Sequence, residues 1–361
     1  MTKDKTPYQK LNLPPETLIY TGQYTKEPLR IDVYLYDENQ IEVYHFNEPS
    51  HVAKLKKAVE DSRSAWVNVE GICDVKAVES IGAAIGLPKL YLEDIVNVNQ
   101  RTKLENTPGG LFTVTKMLRL NRAKWQESGH IEMMKEHLSM ALWKNTVITF
   151  QEKEGDAFEG VRTRLQVKGG RMRSSGADYL FYALFDALID HQLEILHSVN
   201  DALDQIEKRV IDGGKMNMSQ LYRIRRELLS IKSASFPLKD VIMTLVDEDM
   251  EWIKPATKIY FRDVSDHIAH VTDQTILYRE IVNNLYEMHM LDTSNNMSRV
   301  MTTLTIFSAI FIPLNFLAGF FGMNFTDFDW LRTPNAIPIF IAICMTIGAS
   351  MVLYFKSKEW F

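Results

Sequence analysis

Four ionisable side chains in "YFRDVSDHIAHV", Asp263, Asp266, His267 and His270, recur at i, i+3, i+4 and i+7. A helix would carry all four on one side. Three readings stand for them. An aspartate with two imidazoles suits Zn²⁺ or another borderline metal. Asp263 and Asp266 meeting carboxylates from elsewhere suit Mg²⁺, which takes oxygen ligands. A solvated helix face with paired charges needs no ion at all. A second group lies nearer the C-terminus, where Met301, Leu304, Ser308, Ile312, Asn315 and Gly319 share one face of a helix at 100° per residue. Bulky apolar groups alternate there with a hydroxyl, an amide and a glycine. Helix–helix packing explains Ser308 and Gly319 as well as a water-lined role does. Asn315 is different, because a primary amide inside a bilayer is costly unless it meets a partner or water. It stands two residues after Pro313, whose ring removes a backbone donor, and this predicts a local kink facing a cavity.

The elements that must hold these groups follow from charge and hydropathy. The mean hydropathy of −0.16 hides a split. Residues 300–321 and 336–355 contain no Asp, Glu, Lys or Arg. Each run matches the ~20 helical residues that cross ~30 Å of hydrocarbon. Arg299 precedes the first span, and Lys356 and Lys358 follow the second. The loop between them, 322–335, holds Arg332 against Asp327 and Asp329. This bias places both termini in the cytoplasm and the loop outside. The first twenty residues carry lysines with no apolar stretch behind them, so no secretory signal is expected and the large N-terminal part stays inside. Two cysteines, Cys73 and Cys344, fall in different parts of the chain and fit a reducing interior. A net charge of −5 argues against a nucleic-acid partner. Catalytic motifs are missing too. "VKGGRMRSSG" lacks the order of a phosphate-binding loop, "HIEMMKEH" sets its histidines too far apart for a zinc-protease helix, and no nucleophilic cysteine stands out.

Up to about residue 153 strand and helix signals alternate, which predicts an α+β domain. "TLIYTG", "LRIDVYLYD", "QIEVYHF", "AWVNVEG", "LFTVTKMLRL", "HLSMALWK" and "NTVITFQEK" read as strands. "VKAVESIGAAIG" reads as a helix with a glycine stop. Beyond residue 156 the strands cease. One amphipathic helix runs from "ADYLFYALFDALID" to a break at "GGK", 213–215, and a second covers about 219–247. A third begins after Pro255 and meets no Pro or Gly until Pro313. As one helix, 256–321 would span roughly 100 Å and tie the cytosolic body to the first span. The expected organisation is therefore a cytosolic part at 1–255 and a stalk at 256–299. Spans at 300–321 and 336–355 follow, with a tail at 356–361.

Two spans cannot enclose a pore, so a water-lined stripe implies several copies about an axis. The first span would face inward and the less polar second span would face lipid. Met301, Leu304 and Ile312 would then form apolar rings able to gate by dewetting.

The first span ends on "GFFGMN", and here the sequence resembles the CorA family of divalent-cation channels, whose signature is Gly322-Met323-Asn324 after the first of two C-terminal spans. The likeness extends to "LEDIVNVNQRTKLE" at 92–105, "ITFQEKEGDAFEGVRTRL" at 148–165, "ADYLFYALFDALID" at 177–190, "YFRDVSDH" at 260–267 and "IFIPLNFLAGFFGMN" at 310–324. It implies an α/β/α sandwich followed by long helices, in a funnel-shaped homo-oligomer, a pentamer, of the plasma (inner) membrane. The implied cargo is Mg²⁺, with Co²⁺ or Ni²⁺ tolerated and no organic cofactor. It also implies a filter at Gly322, Met323 and Asn324. Mg²⁺ sheds water reluctantly, so a ring of neutral oxygens from Asn324 and from carbonyls near Gly322 would grip the hydrated ion without trapping it. Met323 would only pack, since a thioether is a poor ligand for a hard cation. The resemblance further pairs Asp94 with Asp263 across a subunit boundary as a regulatory Mg²⁺ site, with Glu93, Asp178 and Asp266 as second-site candidates. Two departures stand out. Ser298 occupies the inner-mouth position where relatives place an asparagine, although Asn295 and Asn296 lie one turn earlier. The tail "FKSKEWF" is only sparsely basic. The rival readings are a Zn²⁺ carrier on the same fold and a membrane-tethered scaffold.

Overall fold

Strand β3 (Ser64–Glu70) is buried at every position, so both faces of its sheet must be covered. The computed structural model of the chain describes residues 13–47, 63–121, 131–214, 216–323, 334–358 and 360. In it β3 joins β1 (Arg30–Tyr36), β2 (Ile41–Phe46), β4 (Lys103–Thr107), β5 (Gly110–Leu120), β6 (Met133–Trp143) and β7 (Thr146–Gln151). The order is β2-β1-β3-β7-β6-β5-β4. Only the central β3–β7 pair is parallel; the others are antiparallel. Alternation then sorts the side chains. Ala65, Val67 and Val69 of β3 and Phe112 and Val114 of β5 form one core with α1 (Val75–Ile85) and α2 (Lys89–Val96). Trp66 points the other way and meets Phe158 edge-on at 6.0 Å. Phe158 precedes α3 (Glu159–Gln166), and α4 (Ala177–Ile211) and α5 (Met218–Asp247) lie against the same sheet. Helices on both faces make the expected sandwich.

Helix α1 ends where the sequence placed its stop, with Gly86 at φ 85°, a left-handed conformation that a Cβ would strain. The segment "TLIYTG", expected as a strand, is not one. Its Tyr20 ring enters the core and its hydroxyl donates to Glu152 at 2.8 Å, while the backbone makes a single bond from Thr21 N–H to the Val96 carbonyl. Its β-branched and aromatic residues therefore report burial, which strand composition measures as much as backbone preference. Conversely β4, "KLENT", reads as polar because it is an edge strand.

After α4 the chain turns at Gly213, at φ 76°; Lys215 of the expected break lies outside the described residues. Helix α6 (Pro255–Phe321) is continuous for 67 residues and passes through Pro313. Helix α7 covers Ala336–Ser357. Each contains a stretch long and apolar enough to cross a membrane, and little of either stretch is buried within the chain. By internal contacts the chain divides into one unit, Met1–Val282, and a second, Asn283–Phe361, with α6 contributing to both.

The first unit buries carboxylates as well as apolar groups. Glu136 is 2% exposed and accepts from the backbone N–H groups of Glu152 and Lys153 at 3.0 and 3.1 Å. Burial nevertheless pushes its carboxyl up to about 7, the backbone donors and Arg119 opposing. In the unfolded chain the group ionises near the ordinary value, so between the two values folding requires proton uptake and stability falls as pH rises. Glu136→Gln keeps the acceptor and removes that titration. The stability difference in favour of the variant should open from about pH 4.5 and reach roughly 3 kcal/mol above pH 7. Unfolding of the purified full-length protein followed across this range measures it.

Candidate functional site

Helix α2 presents Glu93 and Asp94 on its last turns. Asp94 is buried, with one oxygen hydrogen-bonded and the other, which makes no hydrogen bond among the described residues, beside an ammonium. One accepts from the Gln100 side-chain amide, and the other lies 2.6 Å from Lys103 Nζ. Lys103 also reaches Glu105 at 2.5 Å. Burial works against the charge on Lys103, but the two carboxylates outweigh it and hold the ammonium above its ordinary pKa. Glu93 accepts from the backbone N–H of Glu16 at 2.6 Å.

Asp178, in the first turn of α4, faces the start of α6. It accepts from Lys254 N–H at 3.2 Å and from the Thr257 hydroxyl at 2.6 Å, with Lys254 Nζ at 3.5 Å. A carboxylate here takes the N–H of Lys254, the residue just ahead of the helix, and faces the positive end of the helix dipole. Its visible role is to cap α6 from another helix. Asp178→Ala should cost about 2–3 kcal/mol, because it deletes a buried acceptor of three donors. Denaturant unfolding of the full-length protein in detergent reads this loss.

On α6, Asp263, Asp266 and His270 are exposed and His267 is half-buried. Among the described residues no hydrogen bond or ion pair joins Asp263 or Asp266 to Asp94, Glu93 or Asp178 within the chain. His267 instead converges with Asp186 and Asp190 of α4, the three donor atoms lying within 4.8 Å of one another. Burial raises the Asp186 carboxyl, Asp190 adds to this, and Arg164 at 3.5 Å opposes it. One imidazole with two carboxylates is a donor set for a borderline divalent cation. The i, i+4 aspartates of "FDALID" are the available signal in the sequence, where they also fit the polar side of an amphipathic helix.

Among the described residues the stripe on α6 is left largely exposed. Met301, Leu304 and Ile312 are 55%, 58% and 67% exposed. Ser298, Asn315 and Gly319 are exposed, Ser308 is half-buried, and beyond the adjoining helix backbone no described atom lies within 4 Å of where a Gly319 Cβ would stand. At the end of the helix, Gly322 N–H still bonds the Ala318 carbonyl at 3.0 Å. A Cβ on Gly322 would lie 2.9 Å from that oxygen, so any other residue there would have to shift the backbone. Met323 is exposed. Asn324, Asp327, Asp329 and Arg332 lie outside the described residues.

A helix-covered mixed sheet, a very long helix ending in an apolar segment with an uncovered polar-and-apolar stripe, and a second apolar helix define a membrane transport protein of the two-span kind. The chain belongs to the CorA-like Mg²⁺ transporter family, whose description its residues 62–357 match. That family consists of ion transporters and not enzymes. The chain is 35% identical to the cobalt/magnesium transport protein CorA of Thermotoga maritima, over 97% of each chain. It is 27% identical to the metal ion transporter YfjQ of Bacillus subtilis, over 75% of this chain and 82% of that one. Its fold matches the complete structure of the CorA magnesium transporter from Methanocaldococcus jannaschii with a TM-score of 0.75. That match covers 92% of this chain and 98% of the other at 17% identity, a likeness of fold alone.

Proposed function

We propose that this protein is a divalent-cation channel of the plasma (inner) membrane that admits Mg²⁺, and tolerates Co²⁺ or Ni²⁺, as a homo-oligomer with both termini in the cytoplasm. The observation that carries the reading is the stripe from Ser298 to Gly319, which among the described residues is left largely exposed although it sits on a membrane-length helix. Copies of α6 around an axis, five by family resemblance, satisfy it by enclosing water. Met301, Leu304 and Ile312 then form apolar constrictions, and Ser308 and Asn315 offer polar rings between them. Gly322, Met323 and Asn324 form the outer filter, where neutral oxygens hold the hydrated ion. Asp94 of one copy and Asp263 of the next hold a regulatory Mg²⁺, assisted by Glu93 and Asp266. Asp178 contributes by fixing the start of α6. Mg²⁺ bound there favours the closed ring, so a fall in internal Mg²⁺ shifts the population towards open.

Ion uptake into proteoliposomes of defined internal Mg²⁺ tests the reading. Mg²⁺ uptake suppressed by internal Mg²⁺ is expected. Uptake indifferent to internal Mg²⁺ removes the regulatory site, no uptake of any ion returns the scaffold, and Zn²⁺ uptake driven by a pH gradient returns the zinc carrier.

A further inference from the structure

Behind the stripe, the second unit contains a groove. Its volume is about 690 Å³, and Arg299, Thr302, Ile306, Ile310, Phe311 and Trp360 are among the residues that line it. At 100° per residue, Arg299, Ile306 and Ile310 stand on the side of α6 opposite the Met301–Gly319 stripe, with Thr302 on one flank and Phe311 on the other, beside Leu304. From Arg299 to Phe311 the groove follows about 18 Å of helix, little more than one leaflet of a ~30 Å hydrocarbon core. Trp360, just past the end of α7, lines the same groove as Arg299 and is 46% exposed. It stacks on Phe355 with ring centroids 5.3 Å apart. The start of the first span and the end of the second therefore lie at one level, the end that carries Arg299, Lys356 and Lys358.

We propose that an anionic phospholipid occupies this groove, with its phosphate on Arg299 and an acyl chain along Ile306, Ile310 and Phe311. The charge pattern selects this occupant. Arg299 is exposed and has no carboxylate partner among the described residues. No acidic residue occurs in 300–321 or 336–355 to neutralise it from within the membrane. An exposed guanidinium at the head of a largely apolar groove about one leaflet long calls for a ligand with an anionic head and an apolar tail. At the cytoplasmic leaflet an anionic phospholipid meets that description. Trp360 belongs to the same interface, where an indole keeps its apolar face in the groove and its N–H near the headgroups. The groove is centred on the back of the proposed pore helix and reaches its flank at Phe311, so the lipid would be a structural neighbour of the pore and not a blocker of it.

Native mass spectrometry of the full-length protein, equilibrated in detergent with equal amounts of phosphatidylglycerol or phosphatidylcholine, tests the proposal. Phosphatidylglycerol should be retained about five-fold more than phosphatidylcholine, and Arg299→Gln should remove that preference. Ile310→Trp fills the apolar part and should lower retention of both lipids while leaving Arg299 in place. Equal retention of the two lipids by the unaltered protein overturns the proposal. So does a preference that survives Arg299→Gln. Retention unchanged in Ile310→Trp while the oligomer falls to single chains makes the groove a contact between copies, which also overturns it. None of these readouts uses ion flux, so the inference stands or fails separately from the channel reading.

Discussion

Exchange of Asn324 for Ala should reduce Mg²⁺ uptake into proteoliposomes by roughly 10²-fold or more while the oligomer and its melting temperature stay unchanged. The size follows from what the side chain is proposed to supply. A hydrated Mg²⁺ keeps its first-shell water and so presents strongly polarised O–H donors. Each neutral acceptor facing it makes a charge-assisted hydrogen bond of about 1.5–3 kcal/mol. Removing one acceptor from every copy deletes several such bonds at once, and two of them already account for a hundred-fold in rate. Asn324→Asp separates this account from simple obstruction. A ring of carboxylates should bind the ion more tightly and release it more slowly, so uptake falls although Mg²⁺ protects the variant better against unfolding. Gly322→Ala should be milder, because its conflict is with the Ala318 carbonyl, 2.9 Å from the added Cβ. Full transport by Asn324→Ala would remove the filter from the account.

What could be read from the sequence divides along the range of the interactions involved. The two spans and α6 were legible because nothing competes locally: runs of ~20 uncharged residues and a stretch without Gly or Pro leave few other structures. The α6 stripe was legible for the same reason, since periodicity fixes a face once the helix is secure. Short elements were not. Helix α2 starts at Pro88 with no side-chain cap and spans eight residues, too few for a periodic signal. Strand β4 takes its identity from β5 beside it. The partners of the acidic residues were the least legible. Asp178 answers to Lys254 and Thr257, 76 and 79 positions away. His267 meets Asp186 and Asp190 only because α4 and α6 pack together. Spacing could place Asp263, Asp266, His267 and His270 on one face, but it could not say which neighbours that face would meet.

Asp94 leads to the second large effect, through Lys103. If Mg²⁺ between Asp94 of one copy and Asp263 of the next closes the channel, Asp94→Asn with Asp263→Asn should raise the internal Mg²⁺ needed for half-inhibition by roughly 5–150-fold, the usual range of coupling between two sites. Lys103 should act in the opposite sense. Its ammonium lies 2.6 Å from Asp94 and its side chain is 21% exposed, so the lysine stands against the oxygen that the ion must take. Binding of Mg²⁺ must displace this pair, and the cost lowers the apparent affinity. Lys103→Gln keeps a polar side chain beside Asp94 but removes the competing charge. Half-inhibition should then move to lower internal Mg²⁺ by about ten-fold, the equivalent of ~1.4 kcal/mol for a partly buried ion pair. The opposed directions distinguish a sensor from a merely structural carboxylate. If Asp94 only stabilises the fold, both changes lower the melting temperature and neither moves the inhibition curve. If it is the sensor, the two curves separate on either side of the unaltered protein. Asp94→Asn introduced into the Lys103→Gln background should abolish the leftward shift, because no carboxylate then remains for the lysine to mask. Flux measured against internal Mg²⁺ in the same proteoliposomes reads all of these variants together, and a Lys103→Gln curve lying to the right of the unaltered protein would exclude Asp94 as a Mg²⁺ ligand.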